Sequence, residues 1–361
     1  MKELDFRLFK YEEEIDSQRE LFRESFPETI GTSVESVQHY SWKFQSFPAG
    51  NKASFEYGAY FNGNLVGYYA AIPYQYYVGE ELMTCGMVCD VMTSPSMRGK
   101  GVFVNLGHHS TEDLGTQGVD FTTGYPIRPE VIPGHLKVKW EILFELPIYL
   151  KVLKSKALLE TKKIGFISPL IDFMISQYHG MLGLLFGSKG LYECKVLTRA
   201  EFINIEKYDS FFNSWRKNKK ISLRKSQDFI KWRTGAPGSE YRFIVIEDRG
   251  EIVAIAIVRR TDLKGIPTLA VLDMMVLDSQ SDCLAFLYKK IDEVAREVKA
   301  ETIAMMISKT WAKGYKLVKG GFVKTPLKFS FILKQLNPSL DRALVNSETN
   351  WHLMWIDSDD L

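Results

Sequence analysis

Alternating apolar and polar positions recur in two matching series along the chain. FEYGAYF (55–61) and LVGYYAAI (65–72) alternate as the two faces of a strand do. They are joined through Asn62-Gly63, residues that both tolerate positive φ, so a hairpin is predicted. YRFIVIED and EIVAIAIVRR repeat the arrangement around Arg249-Gly250. A further run follows each hairpin, MVCDVMTSP in one half and LAVLDMMVLD in the other. The pattern then changes to a helical period, in VNLGHHSTEDLG and in SQSDCLAFLYKKIDEVAREV. VDFTTG (119–124) and ETIAMMIS (301–308) read as strands.

The order of landmarks repeats as well. Trp42-Lys43 and Pro48-Ala49-Gly50 stand before the first series, and Trp232-Arg233 and Pro237-Gly238 before the second. Asp90 follows Trp42 by 48 positions and Asp273 follows Trp232 by 41, a difference of loop length. Gly134-His-Leu-Lys corresponds to Gly314-Tyr-Lys-Leu. The switching periods imply a mixed α/β chain of the α+β kind, in two domains, each a mostly antiparallel twisted sheet flanked by helices. The expected boundaries are 1–150, a helical linker at 151–195, a second domain at 196–336 and a tail at 337–361.

Composition narrows the class. The chain has 361 residues, 45% hydrophobic and 25% charged, normal for a soluble globular protein. A net charge of +2 argues against a general nucleic-acid binder. The basic run RKNKKISLRK (216–225) reads as a solvated linker face. Cys85, Cys89, Cys194 and Cys283 have no metal-ligand spacing, so no metal is expected, and they read as reduced core thiols of a cytoplasmic protein. The acidic start MKELDFRLFKYEEEID has no apolar signal core. FISPLIDFMISQYHGMLGLLFG (166–187) is interrupted by Pro169, Asp172, Gln177 and His179, so it reads as a buried or domain-bridging helix rather than a membrane span. A membrane-surface helix is the alternative.

SPSMRGKGVF (94–103) is the large difference between the halves: two glycines, two cations and no acid between a strand and a helix. A helix start carries unpaired N–H groups and the positive end of the helix dipole, and glycine lets the backbone approach a ligand closely. Together these features make an anion site, most often for phosphate. No Walker motif is present. Gly99-Lys-Gly101 lacks the third glycine of the dinucleotide fingerprint.

With Arg98 and Gly101 at its fixed positions, the loop resembles the acyl-CoA signature of the GNAT N-acetyltransferases, Arg/Gln-x-x-Gly-x-Gly/Ala; Phe103 stands where that pattern has a small residue. The element order over 1–150 is similar to a whole GNAT domain, and the second half resembles a degenerate GNAT copy. TTGYPIRPEVIPGHLKVKWEIL and NWHLMWIDSDDL are similar to segments of a tandem-GNAT group. The resemblance implies a coenzyme A diphosphate on Arg98, Gly99, Lys100, Gly101, Val102 and Phe103. It also implies a thioester polarised by strand amides around Val91, Met92 and Thr93, with acetyl-CoA as co-substrate and an amine of a small molecule, amino sugar or peptide as acceptor.

Such a transfer needs a base for the ammonium and an acid for the leaving thiolate. Asp90, in an otherwise apolar strand, and Glu56, on the hairpin, are candidate bases. Burial of Asp90 would raise its pKa, while Asp273 at the matching place favours a structural pairing. Tyr125 and His135 are candidate acids. The rivals are a Fem-type aminoacyl transferase using charged tRNA and a non-catalytic acyl-CoA-binding protein. The acyl-CoA loop argues against the first, and the lack of a clear acid–base pair keeps the second open.

Overall fold

The structure, a computed structural model, describes residues 4–48, 52–126, 128–161, 163–187 and 191–359. Ala49, Gly50 and the last two residues of the C-terminal segment lie outside them. From the N-terminus the order is β1 (Leu4–Leu8), α1 (Tyr11–Ser25), α2 (Val37–Gln45), β2 (Phe55–Phe61), β3 (Asn64–Val78), β4 (Glu81–Thr93), α3 (Val102–Thr116), β5 (Phe121–Gly124) and α4 (Ile132–Lys137). Then come β6 (Glu141–Val152), α5 (Lys156–Glu160), α6 (Ser168–Leu185), β7 (Glu193–Thr198), α7 (Arg199–Phe202), α8 (Tyr208–Arg216), β8 (Ile221–Leu223) and α9 (Gln227–Arg233). The remainder is β9 (Tyr241–Asp248), β10 (Glu251–Leu263), β11 (Ile266–Val276), α10 (Leu284–Glu297), β12 (Thr302–Met306), α11 (Lys309–Gly314), β13 (Val323–Gln335), α12 (Arg342–Val345) and β14 (Trp351–His352).

Two compact units result, and neither is one continuous stretch of chain. The first holds 1–144, 235–238 and 330–347, and the second holds 145–234, 239–329 and 348–361. In the first unit the strands run β1-β2-β3-β4-β5 and close on the end of β13, whose Ile332–Gln335 pair antiparallel with β5. β4 and β5 are the parallel pair. In the second unit β7-β9-β10-β11-β12 closes on β6, with β11 and β12 parallel. The first unit therefore takes its closing strand from the C-terminal part of the sequence, and the second from the segment that precedes β7.

Both expected hairpins form. Asn62 and Gly63 sit at φ 52 and 82, and Arg249 and Gly250 at φ 52 and 77. This consecutive left-handed pair is what a type I′ turn requires to match strand twist. The first unit's core joins Phe55, Tyr57 and Ala59 of β2 to Val102, Leu106 and Leu114 of α3 and to Trp140. In the second unit Leu284, Leu287, Ile291 and Val294 form the i, i+3, i+7 stripe of α10 against Ile244, Ala256 and Val271.

Two sequence expectations fail for identifiable reasons. The basic run 216–225 is a solvated face only in part: Lys217, Lys220 and Arg224 are exposed, but two lysines are not. Lys219 goes inside to meet Asp278 at 2.8 Å, and Lys225 reaches Asp273 at 2.7 Å with both side chains fully buried. A charge pattern cannot show which lysines a carboxylate will draw inside. The helix within 166–187 does form, but it belongs wholly to the second unit, and Ser168 is its one buried residue. Its outer apolar side chains stay exposed.

Candidate acyl-CoA site

The site is built where β4 leaves its neighbours. Its parallel pairing with β5 ends at Met87↔Thr123, yet β4 runs on to Thr93. On the other side the register with β3 shifts between Tyr68↔Met92 and Ala70↔Cys89, so a bulge falls at Asp90 and Val91. Asp90 has a φ of 48°, unusual for a residue with a side chain. The bulge and the divergence from β5 leave the backbone of Val91–Thr93 beside open space. Those three residues line a cavity of about 640 Å³.

The loop forms the opposite wall. Gly99 and Gly101 adopt φ of 75° and 80°, the left-handed region that glycine enters without penalty. Gly101 is the N-cap of α3 and offers no side-chain cap, and the first turn of α3 carries no acid. The first helical bond runs from the Asn105 amide to the Gly101 carbonyl, so the amides of the first turn have no partner within the helix. Arg98, Gly99, Gly101, Val102 and Phe103 line the cavity, and Lys100 does not. The Lys100 ammonium instead rests 3.7 Å from the Met97 sulfur.

Sequence reasoning missed part of this wall. Ser25 and Phe26 at the end of α1, Arg128, Val131 and Lys137 also line the cavity. Arg128 is anchored by its bonds to the Ser25 carbonyl and to Glu28. Arg98, Arg128 and Lys137 face one carboxylate, Glu130, so the lining is net positive. The hydroxyls of Ser25 and Thr93 are buried with no hydrogen-bond partner among the described residues. Unpaired buried hydroxyls, free helix amides and excess positive charge fit an elongated polar ligand with a phosphate group. Phe103 also finds its physical reason. Its ring stands edge-on to His135 at 5.0 Å, and a Cβ on Gly134 would come within 2.6 Å of it. The bulky residue in the loop is matched by a missing side chain on α4.

The four candidate acids and bases do not assemble around the cavity. His135 is buried between Phe103 and Trp140, and burial pushes its pKa down to about 4. Tyr125 is buried against Phe331, 5.3 Å between ring centres. Asp90 forms an ion pair of 2.8 Å with Lys43 of α2, both nearly buried. Lys225 and Asp273 repeat this pairing in the second unit.

Glu56 lies in a polar cluster that the sequence did not reveal. It accepts hydrogen bonds from the hydroxyls of Tyr40 and Tyr68, and from Ser54 at 2.7 Å. Burial pushes its carboxyl above the usual range, and the charge of Asp90 adds to the effect. Arg19 is buried beside this group, its guanidinium 5.1 Å from the Tyr40 ring. Its Nε donates to Gln18 at 2.6 Å, while its Nη2 and the Gln18 Nε2 find no partner among the described residues.

A splayed strand, a glycine loop at a helix start and a net-positive cleft between them form a candidate anion site on a mixed α/β fold. The comparisons agree on the fold. Residues 5–133 match the family model described as an acetyltransferase (GNAT) domain. A search of curated proteins returned no match. The structure resembles a GCN5-related N-acetyltransferase from Anabaena variabilis, with a TM-score of 0.65 at 11% identity over 93% of this chain and 73% of that one. A probable N-acyltransferase from Enterococcus faecalis gives 0.63 at 12% identity, over 93% and 73%. The N-myristoyltransferase of Saccharomyces cerevisiae, solved with myristoyl-CoA, gives 0.62 at 13% identity over 92% and 78%. The fold is that of GNAT acyltransferases.

Proposed function

We propose that the protein is an acyl-CoA-dependent N-acyltransferase, with acetyl-CoA as donor and a primary amine of a small molecule, amino sugar or peptide as acceptor. The observation that carries the reading is the left-handed Gly99 and Gly101 at the start of α3, facing the open edge of β4 across one cationic cavity. In this reading the loop amides and Arg98 hold the diphosphate, and the β4 amides of Val91–Thr93 hold the thioester oxygen as it gains charge. The amine nitrogen bonds to the carbonyl carbon, the C–S bond breaks, and the departing sulfur takes up the nitrogen's second proton, so coenzyme A leaves as the thiol. Glu56 does not line the cavity, so it takes the amine proton through intervening water; a carboxyl raised by burial is a stronger base than a free one. Asp90 serves to hold β4 through Lys43. The second unit, with the same strand order and no glycine loop, is a degenerate copy.

Calorimetry with acetyl-CoA tests the reading, on the native chain and on Gly101→Asp, with circular dichroism to verify folding. Asp tolerates left-handed backbone, so the variant should fold, and its carboxylate should weaken binding by about tenfold or more. Unchanged affinity would overturn the assignment. Octanoyl-CoA and myristoyl-CoA in the same experiment set the acyl length. Thiol release with an amine panel separates a transferase from a binding protein.

A further inference from the structure

The most conspicuous surface feature lies away from the acyl-CoA cavity. Half of the large exposed apolar side chains among the described residues fall between Ile164 and Leu191. On α6 the exposed ones are Leu170, Phe173, Met174, Tyr178, Met181, Leu184 and Leu185, with Leu184 at 88%. At about 100° per residue they make a stripe roughly 140° wide. Gln177 is the one polar side chain exposed within it, and an apolar face of this size is uncommon on a solvated surface. The helix has no Lys or Arg, and its one acid, Asp172, turns inward to accept from the Ser155 amide and hydroxyl, each at 2.7 Å. The outer face is therefore uncharged.

Positive charge flanks that face. A cavity of about 640 Å³ separates α6 from α10, and on the α6 side Ser176, Gly180 and Gly183 keep it open. Lys289, Arg296 and Lys319 line it and form no ion pair among the described residues. The acid there, Asp292, is already paired with the buried Lys151 at 2.8 Å. At the N-terminal side Lys154 and Lys163 are exposed. No helix among the described residues is long and apolar enough to cross a membrane. An uncharged apolar stripe bordered by unpaired cations matches the interfacial layer of a bilayer, with acyl chains below and phosphates at the rim.

We propose that the second unit docks on anionic lipid surfaces, burying the outer face of α6 among the acyl chains while Lys289, Arg296 and Lys319 meet lipid phosphates. The inference stands apart from the acyl-transfer reading. Flotation with the full chain tests it, using vesicles of phosphatidylcholine alone and of phosphatidylcholine and phosphatidylglycerol in equal parts. The native chain should bind the mixed vesicles roughly tenfold or more tightly than the neutral ones, with the preference lost in high salt. Phe173→Glu with Leu184→Glu should abolish binding. Lys289→Glu with Lys319→Glu should remove the preference for anionic lipid. All four positions are exposed, so melting curves should not change. Failure to bind mixed vesicles at low salt would overturn the proposal. So would unchanged binding by the α6 variant, or a dimer in sedimentation that the α6 variant dissolves while vesicles are ignored, which would assign the face to a second copy of the chain.

Discussion

Single residues carry much of this protein's physics through buried charge. Lys225 and Asp273 are both fully enclosed, and Lys43 and Asp90 nearly so. Removing one partner of a buried pair leaves the other charge without solvent or counter-ion. Lys225→Met should therefore cost about 3–5 kcal/mol in urea unfolding, and Lys43→Met less, because its pair keeps some contact with water. Glu56 is a different case. If it removes the amine proton, Glu56→Gln should lower kcat by about 10²–10⁴ and leave acetyl-CoA affinity intact. The native rate should rise with pH as this raised carboxyl ionises, and the variant should lose that limb. A purely structural Glu56 would instead shift melting and spare the pH profile.

Among the elements, β4 and the loop after it decide the site, and the hairpin at Asn62-Gly63 sets β3, on which β4 pairs. Asn62-Gly63 and Arg249-Gly250 set the register of the strands they join. Gly63→Val forces a β-branched residue into left-handed backbone at φ 82. The expected cost is about 1–2 kcal/mol, read from the denaturation midpoint. These turns were legible because I′ geometry needs particular residues next to each other. The bulge at Asp90 was not, since it arises from how β3 and β4 pair at a distance. Nor could α6 be judged from its own sequence. Whether an apolar helix is buried depends on what packs against it.

For the whole molecule, two properties follow from the fold. First, β13 closes the first unit's sheet on β5. A chain ending after Lys154 lacks that strand and exposes the β5 edge, so it should aggregate or form oligomers, and co-expression of the remainder should restore solubility. Second, buried histidines make stability depend on acid. Burial pushes His135 down to about 4, and it lowers His352 and His179 as well. In the unfolded chain they bind protons near pH 6.5. The unfolded state thus gains protons first as pH falls, and stability should drop between about pH 6.5 and 4. Glu56 and Asp273, raised by burial, act in the opposite sense. The difference between native and His135→Gln melting profiles isolates the histidine contribution, up to about 3 kcal/mol.

The sequence by itself determined what depends on neighbours in the chain. It set the alternating and helical periods, the two I′ turns, the glycines ahead of α3 and the doubled order of landmarks, because each is fixed by local backbone and side-chain chemistry. The tertiary structure alone decided which strand closes each sheet, that Lys219 and Lys225 turn inward, that Phe103 rests on Gly134, and that Glu56 sits among tyrosines while α6 stays bare. Those outcomes come from pairings between residues up to about two hundred positions apart, and no local pattern encodes the partner.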